Sequence, residues 1–172
     1  ADALTGPYPR SKRAGELAVA EALAGRVALV TALPTVPVGP GDINLTAPAR
    51  LLADLAAGGP PAILDTLLDL VDVRDLAATL ARALLTAPAD TRWLLGGHTV
   101  RLCELARMVD RLCGRPPRRR PAIPLPLALA GAHADEAIAR LTGRPPRATL
   151  TGVRIAGRLR RFDSGPALSL IH

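Results

Sequence analysis

Aromatic residues are almost absent from this chain. They make up 2% of 172 residues: one tyrosine (Tyr8), one tryptophan (Trp93) and one phenylalanine (Phe162). A core must therefore be built from leucine, alanine and valine, which bring less contact area per residue than aromatic rings. The same scarcity removes the stacking platforms that single-stranded nucleic acid needs. Lysine is scarcer still: Lys12 is the only one among 22 basic residues, the rest being arginine. Two cysteines, Cys103 and Cys113, lie ten apart and fit neither a metal nor a redox spacing, so free thiols and a cytoplasmic location are expected. The three histidines, His98, His133 and His172, are scattered, and none is assigned a catalytic or metal role. No secretory signal opens the chain and no apolar run of about 18 residues marks a membrane span. The apolar stretch 123–132 is short and interrupted by Pro124 and Pro126.

Charge is what the sequence has in excess. The net charge is +7, with one arginine cluster at Arg115, Arg118, Arg119 and Arg120 and another at Arg154, Arg158, Arg160 and Arg161. Such clusters attract phosphate backbones without reading sequence. No nucleic-acid reader motif accompanies them, so a solvated basic face is the first reading and nucleic acid is not the expected partner. A local alternative is bidentate capture of a phosphate or carboxylate on a small substrate.

Periodicity and punctuation predict alternating elements. A helix is expected over 8–24, stopped by Gly25, and a buried strand over 27–32. A Pro/Gly-rich loop follows over 34–42, then a helix over 47–57. Residues 63–73 hold one or two short strands, and Asp75 is the expected N-cap of a helix to about Thr86. A strand over 92–95, a Gly96-Gly97 turn and a helix over 102–112 come next. Helices around 128–141 and within 149–160 complete the pattern. Strands alternating with helices indicate an α/β architecture.

Tyr8 and Lys12 stand four residues apart, a spacing that puts them on one face of a helix. Pro9 suits the first helical position, where a missing N–H costs nothing. A free phenol has a pKa of about 10, and bringing one near neutrality takes roughly 4 kcal/mol. A solvated i,i+4 contact supplies only about 0.2–0.5 kcal/mol. The pair can do acid/base chemistry only in a dry site, preferably beside a second positive charge. On spacing alone, a surface tyrosine beside a surface lysine is the commoner arrangement.

The surrounding run, Pro7-Tyr8-Pro9-Arg10-Ser11-Lys12-Arg13-Ala14-Gly15-Glu16, resembles the active-site helix of the extended short-chain dehydrogenase/reductase family. The nearest branches are its dihydroflavonol-reductase-like, 3β-hydroxysteroid-dehydrogenase-like and hopanoid-associated sugar-epimerase members. The resemblance continues in order. Leu33-Pro34-Thr35-Val36-Pro37-Val38-Gly39-Pro40-Gly41-Asp42 looks like the family's Pro-x-x-x-x-Gly-Pro-x-Asp loop. Leu70-Val71-Asp72-Val73-Arg74-Asp75-Leu76-Ala77 resembles a strand-to-helix step. Trp93-Leu94-Leu95-Gly96-Gly97, Leu141-Thr142-Gly143-Arg144-Pro145-Pro146 and Phe162-Asp163-Ser164 resemble later segments. It implies the C-terminal portion of a Rossmann-type α/β protein with its smaller substrate-binding region. Residues 1–33 would hold the active-site helix and the following strand. Residues 34–172 would be mainly the substrate-binding region and C-terminal helices. It also implies Tyr8 as general acid/base, Lys12 as its helper and ribose ligand, and Pro34, Thr35 and Val36 beside the nicotinamide of NAD or NADP. The substrate would be a sugar, a nucleotide-sugar or another hydroxy or keto compound.

The resemblance further implies that the first half of the parallel sheet lies elsewhere, upstream or on a separate chain. No Gly-x-Gly-x-x-Gly or Gly-x-x-Gly-x-x-Gly, the dinucleotide fingerprint, precedes Tyr8. Without that half, strand 27–32 is expected to lack sheet neighbours and the chain to be poorly soluble. Ser11, inside the motif, is not the serine that normally joins the tyrosine and lysine. Leu33, Asp72, Leu67 and Arg101 depart from the usual residue types, Arg101 where a Ser or Thr often caps the next helix, and the ending Leu168-Ser169-Leu170-Ile171-His172 does not continue the pattern. Two readings stay open: an oxidoreductase or epimerase completed by a dinucleotide-binding half, and a non-catalytic fragment that binds a partner or has no independent activity.

Overall fold

A computed structural model describes residues 6–144 and 150–157 of the chain. The expected features at Pro145-Pro146, Arg158, Arg160, Arg161, Phe162-Asp163-Ser164 and residues 168–172 lie outside the described residues. Helix α1 spans Pro7–Leu23, with Pro7, not Pro9, at its first position and Gly6 as N-cap. Strands β1 (Val30–Pro34) and β2 (Val36–Val38) follow, separated only by Thr35. Strand β1 begins three residues later than the apolar run suggests, and Val27 is exposed. Helix α2 spans Ala47–Ala56, β3 Ile63–Leu64 and β4 Leu67–Asp72. Helix α3 spans Val73–Thr86, β5 Thr91–Leu95, β6 His98–Arg101 and α4 Leu102–Leu112. The chain continues through β7 (Ala122–Ile123), α5 (Leu125–Thr142) and α6 (Leu150–Ala156). Strands β2, β6 and β7 were not expected: β2 falls inside the segment 34–42 that punctuation marks as a loop, and forms because β4 offers it a parallel partner. All three are short, and β6 begins directly after the Gly96-Gly97 turn.

The architecture is α/β, with parallel pairing in each of three small sheets. Strand β1 pairs with β5 over five residues, Val30 opposite Thr91 and Pro34 opposite Leu95. The expectation of a strand without neighbours is thus corrected on one edge. Strand β4 lies between β2, parallel to it, and β6, antiparallel. Strands β3 and β7 form a parallel pair.

The chain crosses from the first sheet to the second twice, and both crossings are held at one point. Thr35 donates its N–H to Leu95 O at 3.1 Å, extending the β1–β5 ladder by one bond. Asp69, buried in β4, accepts from Gly97 N–H at 2.9 Å and from Thr99 Oγ1 at 2.7 Å. Burial pushes the Asp69 carboxyl pKa up, but these bonds, with help from Thr35 and His98, leave it below its ordinary value. Gly97 must be glycine for want of room: a Cβ there would stand 2.1 Å from Leu70 O.

Two apolar clusters carry the packing. One gathers Leu55, Ile63, Leu102, Leu105 and Ala106 between α2, α4 and β3; the other gathers Val71, Leu76 and Leu95. Positions 102, 105, 106 and 110 lie on one stripe of α4. The last of these is Asp110, completely buried. Its carboxylate takes both arms of Arg120, at 2.7 and 3.1 Å, and the Arg118 N–H at 3.0 Å. Arg120 also donates to Gly58 O at 2.9 Å, while Arg115 donates to Ala56 O at 2.6 Å and Leu55 O at 3.0 Å. These carbonyls close α2, where cations meet the negative end of the helix dipole. The expectation that all four clustered arginines form a solvated face is corrected: Arg120 is buried and Arg115 is tied down.

Helix starts follow their caps. The N-cap of α3 is Asp72, not Asp75: its Oδ1 accepts from Arg74 N–H at 2.8 Å, and Asp75 falls in the first turn. The Arg74 guanidinium, 2.5 Å away, lowers the Asp72 pKa to about 2. Arg101 takes the N-cap position of α4 and makes no side-chain cap. The Leu102 N–H goes instead to Thr66 O at 3.0 Å. At the far end, Glu136 of α5 accepts from Leu150 N–H at 2.8 Å and so caps α6.

Asp110→Asn should lower the melting midpoint at pH 7 by about 10 °C, because it leaves the buried Arg120 uncompensated. The Arg120 guanidinium holds the Asp110 pKa well below the usual carboxylate range in the folded chain. Its contribution is therefore complete above the unfolded value of about 3.9 and is lost as pH falls through the lower folded value. A denaturant titration at each pH should show wild type weakening below about pH 4, with that segment flattened in Asp110→Asn. Equal acid profiles for the two proteins would contradict this account. Gly97→Ala should cost about 1–3 kcal/mol by forcing the β5–β6 turn off β4; thermal unfolding measures it, and an unchanged midpoint would mean that the turn gives way freely.

Candidate active site

The tyrosine–lysine pair sits in the first two turns of α1. Both side chains are exposed, Tyr8 by 62%. Lys12 Nζ lies over the Tyr8 ring, 5.5 Å from its centroid. This is a cation–π arrangement, with the ammonium over the ring face. Ser11 is taken up locally, its Oγ donating to Tyr8 O at 2.9 Å.

Topology fixes where this pair lies relative to the sheet. Helix α1 returns to β1 through the short segment 24–29, so the two run in opposite directions. Glu16 of α1 pairs with Arg92 of β5 at 2.6 Å. From Glu16 back to Tyr8 the helix climbs about 12 Å, and from Arg92 to Leu95 the strand climbs about 10 Å. The two rises are similar, so an upright α1 carries the pair toward the carboxyl ends of β1 and β5, the edge at which parallel sheets bind ligands. The opposite end of α1 stands over a hollow of about 450 Å³, where Leu17, Ala20 and Leu23 face Val27, Leu29 and Asp90.

Pro34, Thr35 and Val36 occupy that same carboxyl edge. Pro34 is exposed, while Thr35 and Val36 are half-buried. Thr35 has both its N–H and its hydroxyl turned to Leu95 O, at 3.1 and 3.4 Å. Val36 stands opposite Leu70 in the β2–β4 ladder. Among the described residues no hydrogen bond or ion pair joins Tyr8 or Lys12 to 34–36. What this edge offers a dinucleotide is therefore uneven. The Lys12 ammonium is exposed over the Tyr8 ring, and Pro34 presents a rigid apolar surface. The Thr35 N–H is already committed.

Sequence reasoning missed the residue that holds this edge. Asp69 ties the β5–β6 turn to β4 just behind Thr35. The available signal was a lone carboxylate inside the apolar strand Leu67-Leu68-Asp69-Leu70-Val71, a position that demands hydrogen-bond partners. Among the described residues no group of His, Cys, Asp and Glu side chains is placed to hold a metal ion. No helix among them is long and apolar enough to cross a membrane.

No protein-family model matches the chain. A Synechocystis protein named "Putative dihydroflavonol 4-reductase" is 27% identical over 169 residues, covering 96% of this chain and 49% of that protein. The crystal structure of gox2253 matches with a TM-score of 0.74 at 30% identity, over 95% of this chain and 50% of that one. PA4631, a nucleoside-diphosphate-sugar epimerase from Pseudomonas aeruginosa, matches in fold with a TM-score of 0.65 at 20% identity, over 99% and 57% of the two chains. The Bordetella bronchiseptica enzyme WbmG, solved in complex with NAD and UDP, matches with a TM-score of 0.56 at 20% identity, over 94% and 56%. The chain spans about half the length of each of these proteins. In sequence and in fold alike, the chain is similar to about half of a protein of the extended short-chain dehydrogenase/reductase type.

Proposed function

We propose that this chain supplies the acid/base and substrate-facing part of an NAD(P)-dependent oxidoreductase or epimerase acting on a sugar or another hydroxy or keto compound. The observation that carries the reading is the exposed Tyr8–Lys12 pair, its ammonium over the ring, on the helix that leads into β1. In this reading the Tyr8 hydroxyl gives a proton to, or takes one from, a substrate oxygen. The Lys12 ammonium, close to the ring, favours the phenolate and binds ribose hydroxyls, which a compact ammonium can do with separate donors. Pro34, with Thr35 and Val36 behind it, borders the nicotinamide, and Asp69 keeps that border in place. The nicotinamide, when bound, supplies or accepts the hydride.

The division of labour along the chain follows. Residues 1–33 carry the acid/base helix and its strand, and 34–172 shape the substrate side. WbmG was solved with NAD and UDP, which favours a nucleotide-bearing substrate for this chain as well. A dinucleotide-binding half completes the site, from the same protein or from a separate one. The open face of α1, which buries no residue, is consistent with such a cover. A cytoplasmic location, where Cys103 and Cys113 remain thiols, belongs to the same reading. The second reading is a non-catalytic, partner-binding fragment. The exposure of Tyr8 favours it to the extent that the pair stays wet.

Two measurements separate these readings. Residues 1–172 alone should bind NADP(H) weakly or not at all in a calorimetric titration, since no glycine-rich pyrophosphate loop precedes Tyr8. A micromolar dissociation constant would overturn that expectation. In a form joined to a dinucleotide-binding half, Tyr8→Phe should lower kcat by about 10²–10⁴-fold with little change in KM. Lys12→Arg should not restore full activity, because guanidinium cannot replace the compact donor. Undiminished turnover in Tyr8→Phe would exclude the acid/base role.

A further inference from the structure

Two arginines that do not serve the fold, together with Arg120, which does, enclose a second candidate site. Beside the end of α2, Gly59, Pro60 and Pro61 face Arg118, Arg119 and Arg120 across a hollow of about 480 Å³. No acidic residue lines it. Arg120 forms its floor, buried and held by Asp110. The Arg120 Nε–H is also buried and finds no acceptor among the described residues. Arg118 gives only its backbone N–H to Asp110, and neither the Arg118 nor the Arg119 guanidinium has an acceptor among the described residues. Arg118 Nη1 lies 4.0 Å from where a Cβ on Gly58 would stand, and Arg120 Nη2 lies 3.4 Å from the corresponding point on Gly59. The two guanidinium groups thus flank the same glycine turn. Of the four clustered arginines, only Arg115 and Arg120 turn their guanidinium groups to the Asp110 carboxylate.

Like charges held this close repel unless something negative sits among them. Long arginines on an open surface relieve that by moving apart. Here the backbone limits the retreat. Arg118 is pinned through its N–H, Arg120 through its side chain, and Pro116, Pro117, Pro60 and Pro61 stiffen both walls. The glycine turn lets a ligand approach backbone closely. Paired guanidinium forks match the oxygen spacing of a phosphoryl group.

The geometry points to a phosphoryl-binding site in this hollow, with Arg118 and Arg119 as its ligating side chains and a small phosphorylated molecule as its occupant. The inference goes beyond the acid/base reading and does not depend on Tyr8 or Lys12. Near-absence of aromatic residues around the hollow favours a small anion over nucleic acid, which would need stacking partners or a longer basic track.

The test is a calorimetric titration of the 172-residue chain with inorganic pyrophosphate and, separately, with orthophosphate. One saturable site is expected. Arg118→Gln and Arg119→Gln should each weaken pyrophosphate binding by about tenfold without shifting the melting midpoint, since both side chains are exposed. Arg118→Lys should lie between, keeping charge but losing the fork. Arg26→Gln, which removes an exposed charge elsewhere, should change nothing. Equal losses in all variants would mean diffuse attraction to a basic protein and would overturn the site. So would binding of a short oligonucleotide that pyrophosphate cannot displace. A nucleoside diphosphate competing with pyrophosphate would identify a nucleotide as the source of the phosphoryl group; orthophosphate binding as tightly as the diphosphate would identify a free phosphate.

Discussion

The packing of α2 against α4 hangs on one buried carboxylate. Asp110 lies on the apolar stripe of α4, where an unpaired charge would be intolerable. Arg120, ten residues on, satisfies it with both arms and spends a further donor on Gly58 O. Arg115 takes the last carbonyls of α2. Three distant pieces of chain are thereby registered at once: the end of α2, the face of α4 and the approach to β7. With almost no aromatic residues to fill space, a Leu/Ala core has few shapes that lock uniquely. Here a polar network supplies the uniqueness that packing alone does less well. Such networks strengthen when fully satisfied and are costly when half-satisfied. This one is nearly complete, with only the Arg115 and Arg120 Nε atoms left over.

A second polar node joins the two sheets on the side where chemistry is expected. Strands β1 and β5 carry the edge; β4 with its neighbours carries the support. Thr35 and Gly97 are the residues at which the chain steps from one to the other, and Asp69 lies behind both. Gly97 can lie flat on β4 because it has no side chain, which brings its N–H to the Asp69 carboxylate. The result is a fixed edge at Pro34. The parallel β1–β5 ladder ends there, with Pro34 opposite Leu95.

How much of this was legible in the sequence depended on whether a signal was local. Helix α4 was read to its ends, because its apolar period, the glycine at 114 and the proline at 116 all agree. Helix α1 was placed to within a residue, and the tyrosine–lysine spacing needed nothing beyond it. The N-cap of α3 was misplaced by three residues. Asp72 and Asp75 both satisfy the capping rule, and the choice was made by the end of β4, a tertiary fact. Strands β6 and β7 escaped because neither alternates strongly; β6 forms where β4 offers an edge, and β7 where β3 does. The arginine cluster was read as a surface feature. A hint lay in Asp110 itself, a charge at a core position of a well-marked helix, which requires a partner close by. Asp69 carried the same hint inside a strand.

The exposed state of Tyr8 and Lys12 then sets what any function must add. In water two unit charges 4 Å apart interact by only about 1 kcal/mol, and near a protein surface by about four times that. The ammonium over the Tyr8 ring can bias a proton transfer only after solvent is displaced. Nothing among the described residues covers the pair, and the helix that bears it buries none of its residues. On the function proposed above, the cover is a surface that lies against α1 and brings a cofactor's positive ring to Pro34. Both demands fall on the same edge of the sheet, next to β1, whose other side is already taken by β5. On that reading, a body that pairs with the edge of β1 left open among the described residues meets the two demands together. On that reading the tyrosine–lysine pair and the open strand edge are one requirement expressed twice, in chemistry and in hydrogen bonding.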